Sequence, residues 1–471
     1  MQQVIIHVDR VCQLDPSFVS LSNLCSAFKV LDPNRYFEPA FKNGRWDGTY
    51  RFVSSDGRFR LGLLRSVCNW LRKQGYKPDL KLAQKFKLCS GYKPELLDMD
   101  KFLRKEQLAS IDKMNRSLMG VIALPTSAGK TEIMLDYARC HPKLRILYVC
   151  TRKLLMQQTA QRASKYLGED VNRLGGCVHD YDKANRFTVA VDKTFDNLLQ
   201  RKVIPVDAFD VVLVDECHHA VAATLRRIID KLAWKRLFGF TGSYPTEERN
   251  LIKHWMVKQI IGSPLVYVSD KEYSEKHSEH IPEIKIYRVM NQVQLGMVSG
   301  REIYDALKAS KDRNELIALL AKKLGYNTLI VVNHTQHGDA LLKYCKAAGV
   351  TSCDFIASDR GSQAQAIRAL DSGDLQLLIA TPIIDEGISV NNIRNIIYAA
   401  GWKSEIQLLQ RIGRGKRKKD TGKNQLVMVD FADLGNRVCA RNSRQRFNVY
   451  RDVTDIISDV KIGDLLKANV S

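Results

Sequence analysis

The regular alternation of short apolar runs with helix-like segments constrains the fold of this chain more than any other feature. In the first half of the chain, the apolar runs are residues 145–150, 188–191, 211–214 and 236–241. Helix-like segments lie between them at residues 131–140, 153–166 and 222–232. Near-continuous apolar strands that alternate with helices are typical of a parallel sheet covered on both faces. The pattern predicts one α/β domain, which we place at residues 96–265.

The alternation of apolar and helix-like segments stops after residue 265 and resumes after residue 300. Residues 266–300 are mixed in composition and predict a connection. A second α/β domain is predicted at residues 301–435, and its apolar and helix-like segments are 328–332, 338–348, 362–370, 375–381, 393–400 and 425–431. We interpret residues 436–471 as a basic C-terminal tail.

The first 95 residues have a different composition, richer in aromatic and basic side chains. Residues 51–53 and 58–61 flank a polar turn and predict a hairpin, and residues 62–74 predict an amphipathic helix. We therefore expect a small α+β domain at residues 1–95. The predicted fold class is α/β, with two parallel-sheet domains in tandem after this small domain.

The charge of the chain indicates a polyanionic partner. Its 471 residues carry a formal net charge of +22. Residues 1–95 hold 16 Lys and Arg against 8 Asp and Glu, and residues 411–451 hold 12 against 3. Two such concentrations favour nucleic acid over a uniformly solvated basic surface.

The sequence gives little support for a membrane protein, a secreted protein or a protein built around a metal site. No apolar run reaches the roughly 18 residues of a membrane span. Residues 1–9 lack the pattern of a signal peptide, so we expect a cytoplasmic protein with no membrane partner. The eleven cysteines form no C-x-x-C pair, which argues against a zinc site or a disulfide framework.

A segment between the first strand and the following helix has the chemistry of a phosphate cradle. It consists of Leu124, Pro125, Thr126, Ser127, Ala128, Gly129, Lys130 and Thr131. Gly129 lets the backbone approach a phosphate, Lys130 reaches the β- and γ-phosphates, and Thr131 ligates Mg²⁺. Leu124 occupies the position where the common phosphate-loop pattern has a glycine, so an ordinary turn remains the alternative.

Two adjacent carboxylates follow the apolar run 211–214. Ligands bind at the carboxyl ends of strands in open α/β sheets, which is where Asp215 and Glu216 are expected to lie. We predict that Asp215 holds Mg²⁺ through water and that Glu216 orients or deprotonates an attacking water. With the cradle, the pair predicts a nucleoside triphosphate hydrolase that uses Mg²⁺.

The second half supplies further candidates for catalysis. Gln410, Arg414 and Arg417 follow a helix-like segment, and arginines three apart share one face if helical. They could stabilise charge that develops on the γ-phosphate. A basic, solvated helix end is the alternative.

Five motifs in order resemble those of the superfamily-two helicases, which have two RecA-like domains. They are residues 126–131 (motif I), 215–218 (the DExH box), 241–243 (motif III), 381–389 (motif V) and 410–417 (motif VI). By the same resemblance, Arg104 and Gln107 lie on the adenine side and Gly387 on the nucleotide. His218, Thr241, Gly242 and Ser243 would link hydrolysis to nucleic-acid movement. Cys217 and the Thr-Gly-Ser of motif III depart from the usual pattern.

Within this superfamily, the chain resembles the bacteriophage UvsW-type branch-migration helicases. This likeness is carried by residues 124–130, the Gly-Ile-Ser of motif V and residues 37–48. It implies 3′ to 5′ translocation and ATP-dependent action on Holliday junctions, forks and displacement loops in recombination, repair and replication, with other proteins of those processes as partners. The implied DNA contacts are Thr151, Arg152, Gly175, Gly176 and Thr381. In the small N-terminal domain, the basic and aromatic side chains that could engage a branch are Arg45, Trp46, Arg58 and Arg60.

Other functions remain open at this stage. An RNA helicase or RNA-dependent ATPase would use the same motor, and no residue pattern here reads the 2′-hydroxyl. A non-catalytic annealing protein with a relic ATP site and the motor subunit of a restriction enzyme are further alternatives.

Overall fold

The structure is a computed structural model, and its described residues fall into two compact units. It describes residues 3–15, 20–83, 86, 93, 95, 105–125, 128–176, 178–277, 283–291, 302–357, 363–381, 393–401, 425–451 and 453–467. The first unit comprises Met1–Leu124 and Ala128–Tyr267, and the second comprises Pro125–Ser127 and Val268–Ser471.

The first unit begins with a small α+β region, here called the N-terminal subdomain (residues 3–83). Its elements are β1 (Gln3–Val8), β2 (Val11–Leu14), α1 (Leu21–Ala27), β3 (Lys29–Leu31), α2 (Pro39–Lys42), β4 (Thr49–Arg51), β5 (Arg58–Arg60), α3 (Leu64–Lys73) and β6 (Lys77–Leu82). Four of these strands form a sheet of order β5-β2-β1-β6, in which β6 runs parallel to β1, and β3 and β4 form a separate pair. Val4, Ile6 and Val8 are buried because alternate residues of a strand face the same side.

The predicted hairpin at residues 51–61 is only partly present. A hydrogen bond from the Gly57 amide to the Ser54 carbonyl closes the turn, and Val53 forms an antiparallel bridge with Phe59. However, β4 pairs with β3, and β5 pairs with β2. The two arms of the turn therefore belong to different sheets.

The rest of the first unit is an α/β domain. Its elements are α4 (Lys105–Asn115), β7 (Met119–Ala123), α5 (Lys130–Cys140), β8 (Ile146–Cys150), α6 (Lys153–Leu167), β9 (Val171–Gly175), β10 (Val178–Asp180), β11 (Phe187–Val191), α7 (Asp192–Gln200), β12 (Val211–Val214), α8 (Ala223–Lys231), β13 (Arg236–Thr241), α9 (Glu247–Ile261) and β14 (Pro264–Tyr267). The described strands have the order β10-β9-β11-β8-β12-β13-β7-β14, and all neighbours except β10 and β9 are parallel. Every residue of β8, β11, β12 and β13 is buried, as the apolar runs predict.

The N-terminal subdomain packs on this α/β domain. Trp255 of α9 lies 5.5 Å from the ring of Phe28 and 5.6 Å from that of Phe52, measured between ring centroids. Arg60 donates two hydrogen bonds to the Asp230 carboxylate, at 2.7 and 2.6 Å. A Cβ at Gly62 would lie 2.2 Å from the Lys258 carbonyl oxygen, so only glycine permits this approach.

The second unit is also an α/β domain. Its elements are α10 (Asp270–Lys276), β15 (Glu283–Asn291), α11 (Glu302–Ala309), α12 (Lys311–Leu324), β16 (Thr328–Val331), α13 (Thr335–Ala347), β17 (Cys353–Ile356), α14 (Gln363–Ser372), β18 (Leu377–Ala380), β19 (Asn395–Tyr398), β20 (Gln425–Asp433), α15 (Arg437–Arg451), β21 (Ile457–Val460) and α16 (Ile462–Lys467). Its described strands form an all-parallel sheet of order β17-β18-β16-β19-β20-β15-β21. The prediction of two parallel-sheet α/β domains after a small α+β region is confirmed.

Segments near both ends of the second unit contribute to its sheet. Strand β15 lies within the stretch interpreted as a connection, and it pairs with β20 over nine residues. Within the stretch interpreted as a basic tail, β21 pairs with β15, and Arg446 of α15 makes a buried ion pair with Asp430 of β20 at 3.0 Å. The helices in the described part of the chain are too short and too polar to cross a membrane.

Candidate active site

The predicted phosphate cradle lies between β7 and α5. Gly129 takes the left-handed conformation (φ 74°, ψ 43°) immediately before α5 begins at Lys130. The side chain of Lys130 is buried, and its Nζ donates a hydrogen bond to the Leu124 carbonyl oxygen at 3.1 Å. A turn with a buried lysine at a helix N-terminus has the chemistry needed to receive phosphate oxygens.

Gln107 of α4 braces this turn. Its Nε2 donates to the Ala128 carbonyl oxygen at 3.0 Å, and a Cβ at Gly129 would lie 2.3 Å from the same nitrogen. Gly129 is therefore favoured by its positive φ, and a larger residue there would also displace the Gln107 amide. The structure thus connects Gln107, a predicted adenine contact, to the backbone of the phosphate cradle.

The predicted carboxylates follow β12, two strands away from β7 in the sheet. The hydroxyl of Tyr148, a fully buried residue of β8, donates to Asp215 Oδ2 at 2.8 Å. The Glu216 amide donates to Asp215 Oδ1 at 3.0 Å. The Asp215 carboxylate is thus held by a hydrogen bond on each oxygen. Tyr148 was not among the predicted site residues.

Glu216 lies in a strained backbone conformation. Its φ is +47°, in the left-handed region, where a non-glycine residue costs about 1–3 kcal/mol. Such strain recurs at functional sites because the surroundings fix a side chain that would otherwise turn away. Here it directs Glu216 to Thr241 and His218.

A hydrogen-bonded chain joins Glu216 to the end of β13. Thr241 Oγ1 donates to Glu216 Oε2 at 3.4 Å and accepts from the Ser243 amide at 3.0 Å. His218 Nδ1 lies 2.8 Å from Thr241 Oγ1 and 3.3 Å from Glu216 Oε2. Since the Thr241 hydroxyl has one proton, the neutral His218 ring must carry its own proton on Nδ1 to donate. The structure therefore brings the predicted coupling residues His218, Thr241 and Ser243 together with Glu216.

The two carboxyl groups titrate differently. Burial and the adjacent Glu216 charge raise the pKa of Asp215 to about 6. Burial also acts to raise the pKa of Glu216, but the hydrogen bond with His218 and the charge of Lys130 outweigh it and lower that pKa to about 2. Burial lowers the pKa of His218. Glu216 is therefore the carboxylate that stays charged across the physiological range beside a neutral histidine.

The unusual residue of the DExH box is explained by packing. A Cβ at Gly239 of β13 would lie 2.6 Å from Cys217 Cβ and 2.7 Å from its sulfur. Cys217 is fully buried, so a compact side chain fits above the bare backbone of Gly239. The sulfur fills space behind the site and leaves the carboxylates unchanged.

The predicted nucleic-acid contacts of the first domain lie near one another. Thr151 and Arg152 follow β8, whereas Gly175 ends β9 and Gly176 follows it. The exposed Lys153 side chain, which was not predicted, lies over Gly176, and its Nζ is 3.2 Å from where a Cβ on that glycine would lie. In the second unit, Thr381 follows β18 at the carboxyl edge of its sheet.

The predicted contacts in the N-terminal subdomain differ in their surroundings. Arg45 is exposed, and Arg58 is exposed beside Asp56. Trp46 is half-buried, and its Nε1 donates to the Thr49 carbonyl oxygen at 3.0 Å. Arg60 forms the ion pair with Asp230 that fastens the subdomain to α8.

Several predicted site residues lie outside the described residues. They are Arg104, Thr126, Ser127, Gly387, Gln410, Arg414 and Arg417. Pro125 is described and buried, and Gly242 follows β13.

The described residues fit a nucleotide with a magnesium ion. The left-handed Gly129 and the buried Lys130 ammonium suit the phosphates, and the charge of Lys130 acts on both Asp215 and Glu216. Thr131, the second residue of α5, and Asp215 offer the oxygen ligands that Mg²⁺ prefers. The arrangement can bind a triphosphate and present a charged carboxylate to a water molecule.

Two family models match the chain. The model described as type III restriction enzyme, res subunit, matches residues 93–246, and the helicase conserved C-terminal domain matches residues 311–419. The first match includes the phosphate cradle and both carboxylates, and the second includes Thr381.

Individual proteins are similar over most of the chain. The ATP-dependent DNA helicase uvsW of Enterobacteria phage T4 is 24% identical, covering 87% of this chain and 86% of its own. The DNA 3′-5′ translocase XPB2 of Sulfurisphaera tokodaii is 23% identical, covering 73% and 84%. The structure of S. cerevisiae Dbp5 bound to RNA and ADP BeF3 has a TM-score of 0.56 at 16% identity, covering 80% of this chain and 96% of Dbp5. This last likeness establishes the shared fold.

The two sheets, the phosphate cradle and the carboxylate pair are the features expected of the two matched domains. ATP and, typically, Mg²⁺ are the cofactors of proteins with these domains. The chain carries the two matched domains of superfamily-two helicases, and these domains support an ATP-dependent helicase or translocase similar to uvsW of phage T4.

Proposed function

We propose that this chain is an ATP-driven DNA translocase that remodels branched DNA, such as Holliday junctions, forks and displacement loops. The arrangement of Lys130, Asp215 and Glu216, joined through Thr241 to His218, carries the motor part of the proposal. DNA as the track is supported by the net charge of +22 and by the two named DNA enzymes that align over most of the chain.

Each residue of the site has a role in hydrolysis. Lys130 and the cradle amides bind and orient the phosphates, and Thr131 and Asp215 hold the magnesium ion. Bound Mg²⁺–ATP supplies the phosphoanhydride bond whose cleavage drives movement. Glu216, charged and fixed by its backbone, orients the attacking water and accepts its proton. Gln410, Arg414 and Arg417 are proposed to neutralise charge that develops on the γ-phosphate.

The hydrogen bonds that join Glu216 to the end of β13 give a route by which hydrolysis affects the contacts with nucleic acid. A change at Glu216 alters its hydrogen bond with Thr241, and Thr241 also binds the Ser243 amide. We propose that this route couples the nucleotide site to DNA contacts at Thr151, Arg152, Gly175, Gly176 and Thr381. Most of these contacts would be to phosphates, so binding should weaken steeply with salt.

The substrate is tested by measuring ATP turnover of the full chain with forked DNA, a four-way junction, linear duplex, single-stranded DNA and RNA of the same sequence. We expect stimulation of at least about tenfold by the branched DNAs, with less by linear duplex and little by RNA. A Lys130→Ala variant, which lacks the phosphate-binding ammonium, measures the background in every arm. Greater stimulation by RNA would identify an RNA helicase, and no turnover in any arm would identify a non-catalytic annealing protein; either result would overturn the proposal.

A further inference from the structure

An exposed aromatic turn projects from the N-terminal subdomain. It comprises residues 35–41, between β3 and β4, and we call it the aromatic turn. Phe37 is 78% exposed and Tyr36 is 58% exposed. Fully burying a phenylalanine side chain contributes about 1.5–3 kcal/mol of favourable free energy. A partner that covered the exposed Phe37 ring would gain a large part of this free energy on binding.

The other large aromatic residues of the subdomain show that this exposure is local. Phe28 and Phe52 are buried and pack on Trp255 of α9. The aromatic turn, in contrast, directs Phe37 to solvent although a hydrophobic core lies within the same subdomain. Its position therefore serves something other than the packing of the described residues.

Contacts within the turn fix its backbone and the Tyr36 ring. The Phe37 amide donates to the Asn34 carbonyl oxygen at 2.9 Å, and the Glu38 amide donates to the Arg35 carbonyl oxygen at 3.0 Å. Tyr36 meets Phe41 edge-on, with 5.3 Å between ring centroids. These contacts reduce the ordering cost of binding a planar partner.

A glycine and an arginine anchor the turn to β4. The Arg35 side chain occupies the space where a Cβ of Gly48 would be, 2.4 Å from its Cδ, and Gly48 has a φ of +78°. Arg35 NH1 donates to the Asp32 carbonyl oxygen at 3.1 Å, and its guanidinium lies 4.3 Å from the Tyr36 ring centroid. Arg35 thus supports the ring and brings positive charge beside it.

The surrounding charge favours a nucleic acid. Lys42 and Arg45 are exposed within ten residues of Phe37, and the acidic side chains nearby are Glu38 and Asp47, of which Asp47 pairs with Arg51 of β4. Exposed aromatic rings next to lysine and arginine are the combination that binds unpaired bases, since the rings stack on bases and the cations bind phosphates. An apolar peptide would use the rings but not the cations.

We propose that the aromatic turn is a base-stacking site, at which the exposed Phe37 ring stacks on an unpaired base of branched DNA. The inference rests on the proposed function and deepens it, because it places recognition of unpaired bases at a branch on one turn of the N-terminal subdomain. Lys42 and Arg45 contact the adjacent phosphates.

The test compares the DNA affinity of full-length variants by fluorescence anisotropy. The probes are a labelled fork with unpaired arms and a fully paired duplex of equal length. Phe37→Ala should bind the fork about tenfold more weakly and the duplex as the wild type does. Phe37→Leu should lose the same affinity because it keeps apolar surface without a planar ring, and Phe37→Trp should retain wild-type affinity. Tyr326→Ala is the matched control, since Tyr326 of the second unit is 61% exposed and should not affect either probe.

Different experimental results would overturn this inference and the proposed function. Equal affinity of wild type and Phe37→Ala for the fork overturns the inference, as does an equal loss on fork and duplex. Full affinity of Phe37→Leu also overturns it, because apolar contact would then suffice. Wild-type turnover that no DNA stimulates would instead overturn the proposed function, whatever Phe37 does. Turnover without DNA should be the same in all Phe37 variants.

Discussion

At the residue scale, the sequence predicted the charged groups of the site and missed a group that holds them. Asp215 and Glu216 could be predicted because they follow a recognisable apolar run, and Lys130 could be predicted because it follows Gly129 in the phosphate cradle. Tyr148 could not, because it lies inside such a run, where a tyrosine is ordinarily a core residue. Its hydroxyl becomes significant only through the pairing of β8 with β12, which sets Tyr148 opposite Leu213 and near Asp215.

Tyr148 should position the magnesium ligand. Replacing Tyr148 by Phe removes the hydrogen bond to Asp215 Oδ2 while keeping the buried ring. Loss of a hydrogen bond to a metal-binding carboxylate typically weakens metal affinity by about 10- to 100-fold. We expect the Mg²⁺ concentration that gives half-maximal ATP turnover to rise by about tenfold, with recovery of much of the activity at high Mg²⁺.

A matched substitution separates positioning from a general loss of packing. The Tyr166 hydroxyl donates to Asp136 of α5 in the same unit, so Tyr166→Phe also removes a hydroxyl–carboxylate hydrogen bond. Its Mg²⁺ dependence should equal that of the wild type. If Tyr148→Phe and Tyr166→Phe had the same Mg²⁺ dependence, Tyr148 would have only a structural role.

At the scale of elements, the predicted strands were most accurate where every residue is buried. The predicted bounds of β12 and β13 agree with the structure, since both are continuous apolar runs. Strand β15 was missed because it alternates apolar and charged residues between polar segments. Strand β21 has four residues, none of them buried, so its pairing with β15 decides its structure rather than its own composition.

The packing of α13 on α12 should make stability depend on pH. His337 of α13 is buried, and its Nε2 donates to Asn314 Oδ1 of α12 at 3.0 Å. Burial, with the nearby charges of Arg313, Lys308 and His334, lowers the pKa of His337 from the ordinary 6.5 to about 3. Because the folded pKa is depressed, this residue's contribution is complete above pH 6.5 and is lost as the pH falls towards 3.

The contribution can be isolated with His337→Gln, which keeps an amide donor but does not titrate. Between pH 7.5 and 5, the wild type should lose about 2 kcal/mol more in the free energy of unfolding than the variant, as measured by urea unfolding. Other buried histidines titrate in both proteins and cancel in the difference. An identical pH dependence in both proteins would show that His337 does not stay neutral in the folded unit.

At the scale of the whole molecule, the N-terminal subdomain and the first α/β domain form one unit with a shared core. Phe28 and Phe52 pack on Trp255, and a separate ion pair joins Arg60 to Asp230 of α8. Composition could separate residues 1–95 from the rest, but it could not show this packing, which depends on residues far apart in the sequence. Since truncation would expose Trp255, surface substitutions are the sounder test of the subdomain's function.

ATP hydrolysis by this site depends most on Glu216 as the group that activates water. Glu216→Gln keeps the size and hydrogen-bonding capacity of the side chain but removes the charge that accepts a proton. ATP turnover of this variant and the wild type, measured with saturating forked DNA beside labelled-nucleotide binding, tests that role most directly. We expect turnover to fall by at least about 100-fold with nucleotide affinity nearly unchanged. Turnover close to that of the wild type, with ATP bound equally well, would contradict the account.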